Sequence, residues 1–438
     1  MTLDVFLSAF DPSDLPGGSI DPLGFDRGYS FLADKILPGL TNVAASPRYF
    51  SMLCAGILLA EVDDSESPRK AREQRRGTVL RFERLWAMAS VLTTRESGAE
   101  NLGVRGITYV NAEIERLERN GLQSTDADYQ LLSRQAPYGV LGIYGAVAEG
   151  MRLIDSATYG LTPDSGQTLA KAFLDETATP AVVRRAAKSG DVSVRALREW
   201  GQRAWIGGHP KEAEGACLSD VFHRNPVRSR MAKLLRRAKG KGASEIERLS
   251  AAAESIQDGS KDVDLRDALR ALLHFEKCYQ LALLGFERLL WLARTVPGGI
   301  VTTSQQAADP VLQRISEQLP KVVRKFVASL DNTCTNYLAA DSDRLADVRE
   351  FLSRAAVVSS EPVAMTEVLV TRHRDVQHGK FDRGRRKMPW IEPSGGSLSL
   401  TSNRVGGLAF EVTDTEGIRP HAYRLAAADA FLAASGSS

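Results

Sequence analysis

The chain has 438 residues, of which 43% are hydrophobic, so it can form sizeable cores and, by its length, two to three domains. Basic residues exceed acidic ones by only 56 − 54 = 2, too little for the whole molecule to be steered onto nucleic acid or an anionic membrane. Gly and Pro number 36 and 18, about 12% together, which excludes a fibrous or strongly disordered composition.

No targeting or redox signal is evident. The longest apolar run, Met52–Ala60, is about half the length that a membrane-spanning helix needs. The first residues lack a basic region ahead of an apolar one, so we expect no signal peptide. The cysteines lie dozens of residues apart, without the C-x-x-C spacing of a metal or redox site. We therefore predict a cytoplasmic protein without a cofactor, whose reduced cysteines are small buried side chains: Cys54, Cys217, Cys278 and Cys334.

Most of the chain has the apolar spacing of α-helices. Ser46-Pro47 and Ser67-Pro68 each place an N-cap residue before a proline at the first helical position. They predict helices over 48–61 and from residue 69 past Trp86. A further helix is predicted to begin at Ser124, around Tyr129.

The clearest helical pattern extends over about Leu265–Arg294. Its apolar residues, among them Leu283, Phe286 and Leu290, form a stripe wide enough to be buried on several sides. We predict that this helix is the spine of a middle domain and that it stops before Pro297-Gly-Gly299.

Helices give way to short strands toward the C-terminus. Four helical patterns are predicted, over 319–338, 342–355, 362–377 and 425–434. Three strands are predicted, over 388–391, 397–401 and 408–412. Gly406-Gly407 lies between the last two strands, as a hairpin turn requires, and helices followed by a β-hairpin are typical of a winged helix-turn-helix.

These patterns predict a mainly α, multi-domain helical protein with a small C-terminal β-hairpin module that is winged-helix-like. The predicted domains are an N-terminal helical domain over 1–155, a middle helical domain over 156–298, and a C-terminal helical and β-hairpin domain over 299–438.

Familiar catalytic motifs are missing from the sequence. There is no P-loop, no G-x-G-x-x-G after a strand pattern, no H-E-x-x-H and no deaminase zinc motif. Nucleotide hydrolases, dinucleotide-dependent enzymes and zinc hydrolases of these types are therefore disfavoured.

One dense cluster of titratable side chains includes His373, Asp375, His378 and Asp382. Helical residues five apart are turned by about 140°, so the two histidines do not share a face, whereas Asp375 and His378 could act as a catalytic pair. His378-Gly-Lys380 also resembles the H-x-K start of phospholipase-D-type nucleases, although Arg385 stands where that motif needs an aspartate. We prefer the interpretation that these side chains support a basic helix end.

Three concentrations of basic residues are more prominent than any catalytic set. Residues 69–84 contain seven basic side chains, 224–241 contain eight, and 372–387 contain seven. Such surfaces can follow phosphates and release counterions. The predicted nucleic-acid contacts are Arg75, Arg76, Arg228, Arg230, Lys233, Arg236, Arg237, Arg372, Arg374, Lys380, Arg383, Arg385, Arg386 and Lys387.

The N-terminal stretch Leu32-Ala-Asp-Lys-Ile-Leu-Pro-Gly-Leu-Thr41, followed by Pro47-Arg-Tyr-Phe50, resembles a pattern in uncharacterised bacterial proteins associated with antiphage defence gene clusters. The resemblance covers under a tenth of the chain and carries no catalytic residue. It implies a bacterial protein that works with other subunits in defence.

We therefore expect a non-catalytic, nucleic-acid-binding subunit of a bacterial complex, with duplex DNA and other protein subunits as partners and no membrane partner. One alternative is a metal-dependent nuclease or phosphodiesterase that uses His373, Asp375 and His378. The other is a helical scaffold whose cationic faces bind acidic proteins. Salt-dependent DNA binding without turnover distinguishes the first hypothesis from both alternatives.

Overall fold

The computed structural model describes residues 21–62, 66–98, 103–155, 157–238, 244–333, 343–358, 360–382, 385–401 and 411–434. It confirms a mainly helical fold with small sheets of short strands. The chain divides into two compact units. The first combines the chain up to Ile36 with Lys233–Tyr423, and the second combines Leu37–Ala232 with the chain from Arg424. The predicted division into three domains, with boundaries after residues 155 and 298, differs from this division into two units.

The elements follow one another along the chain. The helices are α1 (Asp26–Ile36), α2 (Pro47–Leu58), α3 (Pro68–Ser97), α4 (Ile107–Arg119), α5 (Gln135–Tyr138), α6 (Val140–Gly150), α7 (Gly166–Glu176), α8 (Ala181–Ala186), α9 (Val194–Ala204), α10 (Glu212–His223), α11 (Pro226–Ala238), α12 (Glu245–Glu254), α13 (Val263–Thr295), α14 (Thr303–Ala308), α15 (Pro310–Thr333), α16 (Asp343–Val357), α17 (Pro362–His378) and α18 (Leu425–Ala434). The strands are β1 (Ser124–Thr125), β2 (Ile154–Asp155), β3 (Gly160–Leu161), β4 (Val192–Ser193), β5 (Ile300–Val301), β6 (Phe381–Asp382), β7 (Arg385–Arg386), β8 (Ile391–Ser394) and β9 (Ser397–Leu400).

The second unit is built around α3, which packs against α2, α4, α6 and α9. The predicted starts of α2 and α3 are confirmed, and the Ser67 hydroxyl accepts a hydrogen bond from the Lys70 amide. Trp86 is buried on α3 and meets Tyr49 edge to face, with their ring centroids 4.9 Å apart. Both helices begin with a proline at the first helical position, and Ser67, unlike Ser46, also caps its helix through its side chain.

The helix predicted from Ser124 is wrong. Residues 124–125 form β1, which pairs antiparallel with β4, and the next helix begins at Gln135. Alternate residues from Thr125 to Leu131 are buried, which is the period of an extended segment rather than of a helix. The Tyr129 hydroxyl donates to the Arg84 carbonyl oxygen at 2.5 Å, so this segment is fixed along α3.

The first unit is built around α13, which packs against α1, α12, α15 and α17. The predicted helix over 265–294 is confirmed, and it ends before Pro297. Phe286 and Leu290 are buried, whereas Leu283 is half-buried. The wide apolar stripe therefore identifies the central helix of this unit, with Leu283 at its margin.

Residues 391–400 form a C-terminal hairpin, ahead of the one predicted around Gly406-Gly407. β8 and β9 are joined through Gly395 and Gly396, whose φ values of +57° and +80° suit a two-residue hairpin turn. β5 pairs with β9, so the strand order is β5-β9-β8. The predicted strand over 408–412 and the Gly406-Gly407 turn lie mainly outside the described residues, and of 388–391 only Ile391 belongs to a strand.

Helices α15, α16 and α17 confirm the remaining C-terminal patterns where they are described, and α18 confirms the last. Within the described ranges, no helix is long and apolar enough to span a membrane. Cys54 and Cys278 are buried as predicted, Cys217 is partly exposed, and Cys334 lies outside the described residues.

Candidate nucleic-acid interface

The third basic cluster begins on α17, where Arg372 is buried instead of facing phosphates. Its Nη1 and Nη2 donate to the two carboxylate oxygens of Asp347, both at 2.7 Å, and its Nε donates to the Leu23 carbonyl oxygen at 2.8 Å. This hydrogen-bonded pair lowers the pKa of Asp347. The prediction that Arg372 contacts phosphates is therefore corrected, because its donors already hold the chain near Leu23 against α17.

His373 is also fully buried, and both of its ring nitrogens have partners. Nδ1 donates to the Pro22 carbonyl oxygen at 3.0 Å, and Nε2 accepts from the Trp390 amide at 2.9 Å. Burial lowers the pKa of His373 to about 4. The hydrogen bond to Pro22 raises this pKa slightly, and the charge of Lys380 lowers it slightly. His373 is therefore a neutral structural residue and leaves the proposed catalytic set.

Asp375 and His378 remain exposed, three residues apart on α17. Asp375 lines an open cleft with Glu350, Glu367 and Arg354, so its surroundings are mixed in charge. Within the part of the chain that the structure describes, no three His, Cys, Asp or Glu side chains are grouped to hold a metal ion. Among the described residues this pair therefore has no third ligand, and the Asp382 side chain lies outside them.

The segment after α17 forms a second hairpin, β6–β7, in which Phe381 pairs with Arg386 and Asp382 with Arg385. Arg385 and Arg386 are exposed. Two large apolar side chains are exposed near them, since Phe381 is 54% and Met388 66% accessible. We call residues 381–388 the basic hairpin; Arg383 within it lies outside the described residues.

The other predicted cations of this cluster differ in accessibility. Lys387 is half-buried, and its amide donates to the Lys380 carbonyl oxygen at 3.0 Å. The Lys380 ammonium donates to the Asp21 carbonyl oxygen at 2.6 Å, and burial lowers its pKa. Arg374 is half-buried, with Nε 4.0 Å from the Asp375 carboxylate. These three side chains are less available to phosphates than Arg385 and Arg386 are.

Helix α11 has the amphipathic pattern that its sequence predicts, with Met231, Leu234 and Leu235 buried. Arg228, however, is buried beside the end of α10. Its Nε and Nη2 donate to the carbonyl oxygens of Phe222 and Val221 at 2.9 and 3.0 Å. The prediction for Arg228 is corrected, because it satisfies the last carbonyls of α10.

The remaining cations of α11 lie on the other side of the helix. Lys233, Arg236 and Arg237 are exposed, whereas Arg230 is half-buried. Three cations within five residues, opposite an apolar face, form a short positive surface. We call Lys233, Arg236 and Arg237 the α11 basic face.

The first basic cluster lines an open cleft beside the first turns of α3. The cleft has a volume of about 360 Å³, and its lining includes Arg69, Arg72, Arg76 and Tyr159. Arg76 is exposed, whereas Arg75 is half-buried and donates from Nη1 to the Thr158 carbonyl oxygen at 2.9 Å. Of the two predicted contacts in this cluster, Arg76 therefore faces the cleft and Arg75 supports its wall.

The chain matches no family model, and the comparisons with curated proteins and with solved structures found no match. Sequence reasoning assigned no role to Phe381, Met388 or Tyr159, which now lie among the exposed cations. Gly384 is a turn signal in the sequence, but no local pattern marks Phe381 or Met388 as exposed. Tyr159 had no comparable signal, because it approaches Arg72 only in the folded chain.

Proposed function

We propose that the chain is a non-catalytic, nucleic-acid-binding subunit of a bacterial complex, and that the basic hairpin is its main contact. The observation that carries this proposal is the exposure of Arg385 and Arg386 together with Phe381 and Met388. Arginine donates to phosphate oxygens in two-pronged geometry. Exposed Phe and Met side chains are of the type that packs against bases or enters a base step in the minor groove.

Helix α17 itself is a poor candidate for a recognition helix, even in a winged-helix-like module. Its exposed side includes Glu367, Asp375 and His378, and acidic side chains repel phosphates. We therefore assign binding to the basic hairpin and to the α11 basic face, and we keep duplex DNA as the expected ligand.

A protein complex as the working context, with a role in antiphage defence, is supported only by the N-terminal resemblance. In the nuclease alternative, His373 is buried and cannot contact a substrate. The scaffold alternative predicts binding to an acidic protein instead of DNA. Both alternatives are outcomes of the experiments below.

The double variant Arg385→Ala/Arg386→Ala is expected to weaken duplex DNA binding by about 1–2 kcal/mol at moderate salt. The slope of log K against log salt is expected to flatten by about 0.9 for each phosphate that the variant no longer neutralises. Fluorescence anisotropy of a labelled duplex, measured at several salt concentrations, gives both quantities.

The matched control is Arg195→Ala/Arg198→Ala, because these arginines are paired with Glu199 and Glu96 at 2.8 and 2.6 Å. We expect the control and His378→Ala to bind DNA like the parent. Loss of a DNA-cleaving activity in His378→Ala, with DNA affinity and folding intact, would instead identify an enzyme. Equal weakening by the control would mean that only total charge matters.

The α11 basic face provides a second prediction. Charge reversal in Lys233→Glu/Arg236→Glu/Arg237→Glu is expected to weaken binding about equally for all DNA sequences, and to flatten the salt slope by about 0.9 for each phosphate no longer neutralised. The same anisotropy titration measures this effect, and circular dichroism checks the fold. An unchanged slope would assign this face to solvent or to a protein partner.

A further inference from the structure

We propose that the cleft beside α3 binds a nucleoside phosphate, that is, a phosphate group joined to a planar base. The cleft belongs entirely to the unit built from Leu37–Ala232. Its volume of about 360 Å³ is within the range of small-molecule sites. The inference does not rest on the basic hairpin, whose residues belong to the other unit.

The charge of the cleft matches a phosphate monoester. Arg69, Arg72 and Arg76 are spaced i, i+3 and i+7 and are all exposed, so they share one face of α3. Among the described residues, Glu73 is the one acidic member of the lining, which gives them a formal charge of 3 − 1 = +2. A phosphate monoester has a charge of about −1.5 to −2 at neutral pH.

The position of these cations on the helix supports an anionic ligand. The first turn of α3 contains no acidic residue, and five basic side chains lie within Arg69–Arg76. Positive side chains at a helix N-terminus face the positive end of the helix dipole, which is unfavourable. An anion bound among Arg69, Arg72 and Arg76 would offset both their mutual repulsion and this dipole interaction.

The aromatic wall of the cleft supports a planar ligand. The Arg72 guanidinium lies over the Tyr159 ring, 4.6 Å from its centroid, and donates from Nη2 to the Tyr159 hydroxyl at 3.4 Å. Such a stacked pair offers a flat cationic surface on which a base can stack. Ala136 and Leu141 add apolar lining.

Thr158 and Tyr159 are held in place by contacts within the chain. Tyr159 has φ +52°, a left-handed conformation that few non-glycine residues adopt. The Asp155 carboxylate accepts from the Thr158 hydroxyl at 2.6 Å, and Arg75 holds the Thr158 carbonyl oxygen. The Arg72–Tyr159 pair is therefore preorganised, which reduces the entropy lost on binding.

Calorimetric titration with AMP and with inorganic phosphate tests the proposal on the full chain. We expect saturable AMP binding that Arg72→Gln/Arg76→Gln weakens about tenfold or more, since two charge-assisted hydrogen bonds are removed. Tyr159→Leu is expected to weaken AMP binding while leaving the weaker phosphate binding unchanged. Lys70→Gln is the matched control, because Lys70 is exposed on the same turn but is not part of the cleft lining.

A free nucleotide and the phosphorylated end of a strand present the same chemistry, so short 5′-phosphorylated and 5′-hydroxyl DNA strands form the second arm. If the 5′-phosphorylated strand binds more tightly than AMP and the 5′-hydroxyl strand does not bind, the ligand is the phosphorylated end of a strand. AMP binding as tight as that of the strand supports a free nucleotide. No saturable AMP binding, or equal weakening by Lys70→Gln, overturns the proposal.

The two proposals fail separately. Arg385→Ala/Arg386→Ala is expected to leave AMP binding unchanged, and Arg72→Gln/Arg76→Gln is expected to leave binding to a blunt 5′-hydroxyl duplex unchanged. If the chain binds AMP saturably but Arg385→Ala/Arg386→Ala leaves duplex affinity unchanged, only the hairpin proposal is overturned. Hairpin-dependent duplex binding without saturable AMP binding overturns the nucleotide site alone.

Discussion

Replacing Phe286 with alanine is expected to lower the free energy of unfolding by about 3–5 kcal/mol. Phe286 is fully buried on α13, and its ring centroid lies 4.5 Å from that of His373 and 6.1 Å from that of Trp390. Truncation leaves a cavity where α13, α17 and the segment before β8 meet, into which the surrounding rings relax only partially. Urea unfolding followed by tryptophan fluorescence measures the loss.

Phe381→Ala is the matched control, because it removes the same atoms from an exposed position. Substitutions of exposed residues usually change stability by less than about 0.5 kcal/mol. Since the chain forms two compact units, the transition should be fitted for each unit separately. A midpoint for Phe286→Ala equal to that of Phe381→Ala would mean that α13 is not the spine of its unit.

The elements predicted well were those whose signal is local. The starts at Pro47 and at Ser67-Pro68 are determined within one helical turn, and the stripe of α13 repeats along the helix itself. The helix predicted after Ser124 was wrong because a few apolar residues fit both the helical and the extended period. There, pairing with β4, more than sixty residues later, determines the outcome.

The hairpin shows a different limit of sequence reasoning. Gly395-Gly396 and Gly406-Gly407 are equal turn signals in the sequence, and only the first pair lies within the described residues, where it joins β8 to β9. Pairing of β9 with β5, almost a hundred residues earlier, is a long-range feature without a local pattern. The division into units is also a long-range feature without a local pattern, since α1 belongs with α13 although more than 200 residues separate them.

The candidate interface was predictable in composition but not in accessibility. Arg372 and Arg385 are the same residue type in one basic cluster, yet only Arg385 is exposed. What buries Arg372 is Asp347 and the Leu23 carbonyl, which are supplied from distant parts of the chain. A charge count therefore identifies a basic cluster, whereas the fold decides which of its cations remain available to a ligand.

Acid is expected to destabilise the unit containing His373 by about 3 kcal/mol through this one side chain, between pH 6.5 and about 4. The unfolded chain protonates histidine near pH 6.5, whereas burial holds the folded-state pKa at about 4. The unfolded state thus binds more protons in this window. The contribution is complete above pH 6.5 and is lost as the pH falls toward 4.

Glu287 in the same unit acts in the opposite direction, because burial raises its pKa to about 7 and favours the folded state as the pH falls. The parent curve therefore combines these two groups with others in the unit, such as His274 and Asp347, whose pKa values are also lowered. The informative quantity is the difference between the parent and His373→Gln, which cannot titrate. We expect this difference in unfolding free energy to shrink by about 3 kcal/mol from pH 6.5 to 4. A constant difference in unfolding free energy would show that His373 titrates with the same pKa in the folded and unfolded chain. His373 would then again be a candidate catalytic residue. The shrinking difference instead fixes His373 as a neutral core residue whose two nitrogens are committed to Pro22 and Trp390.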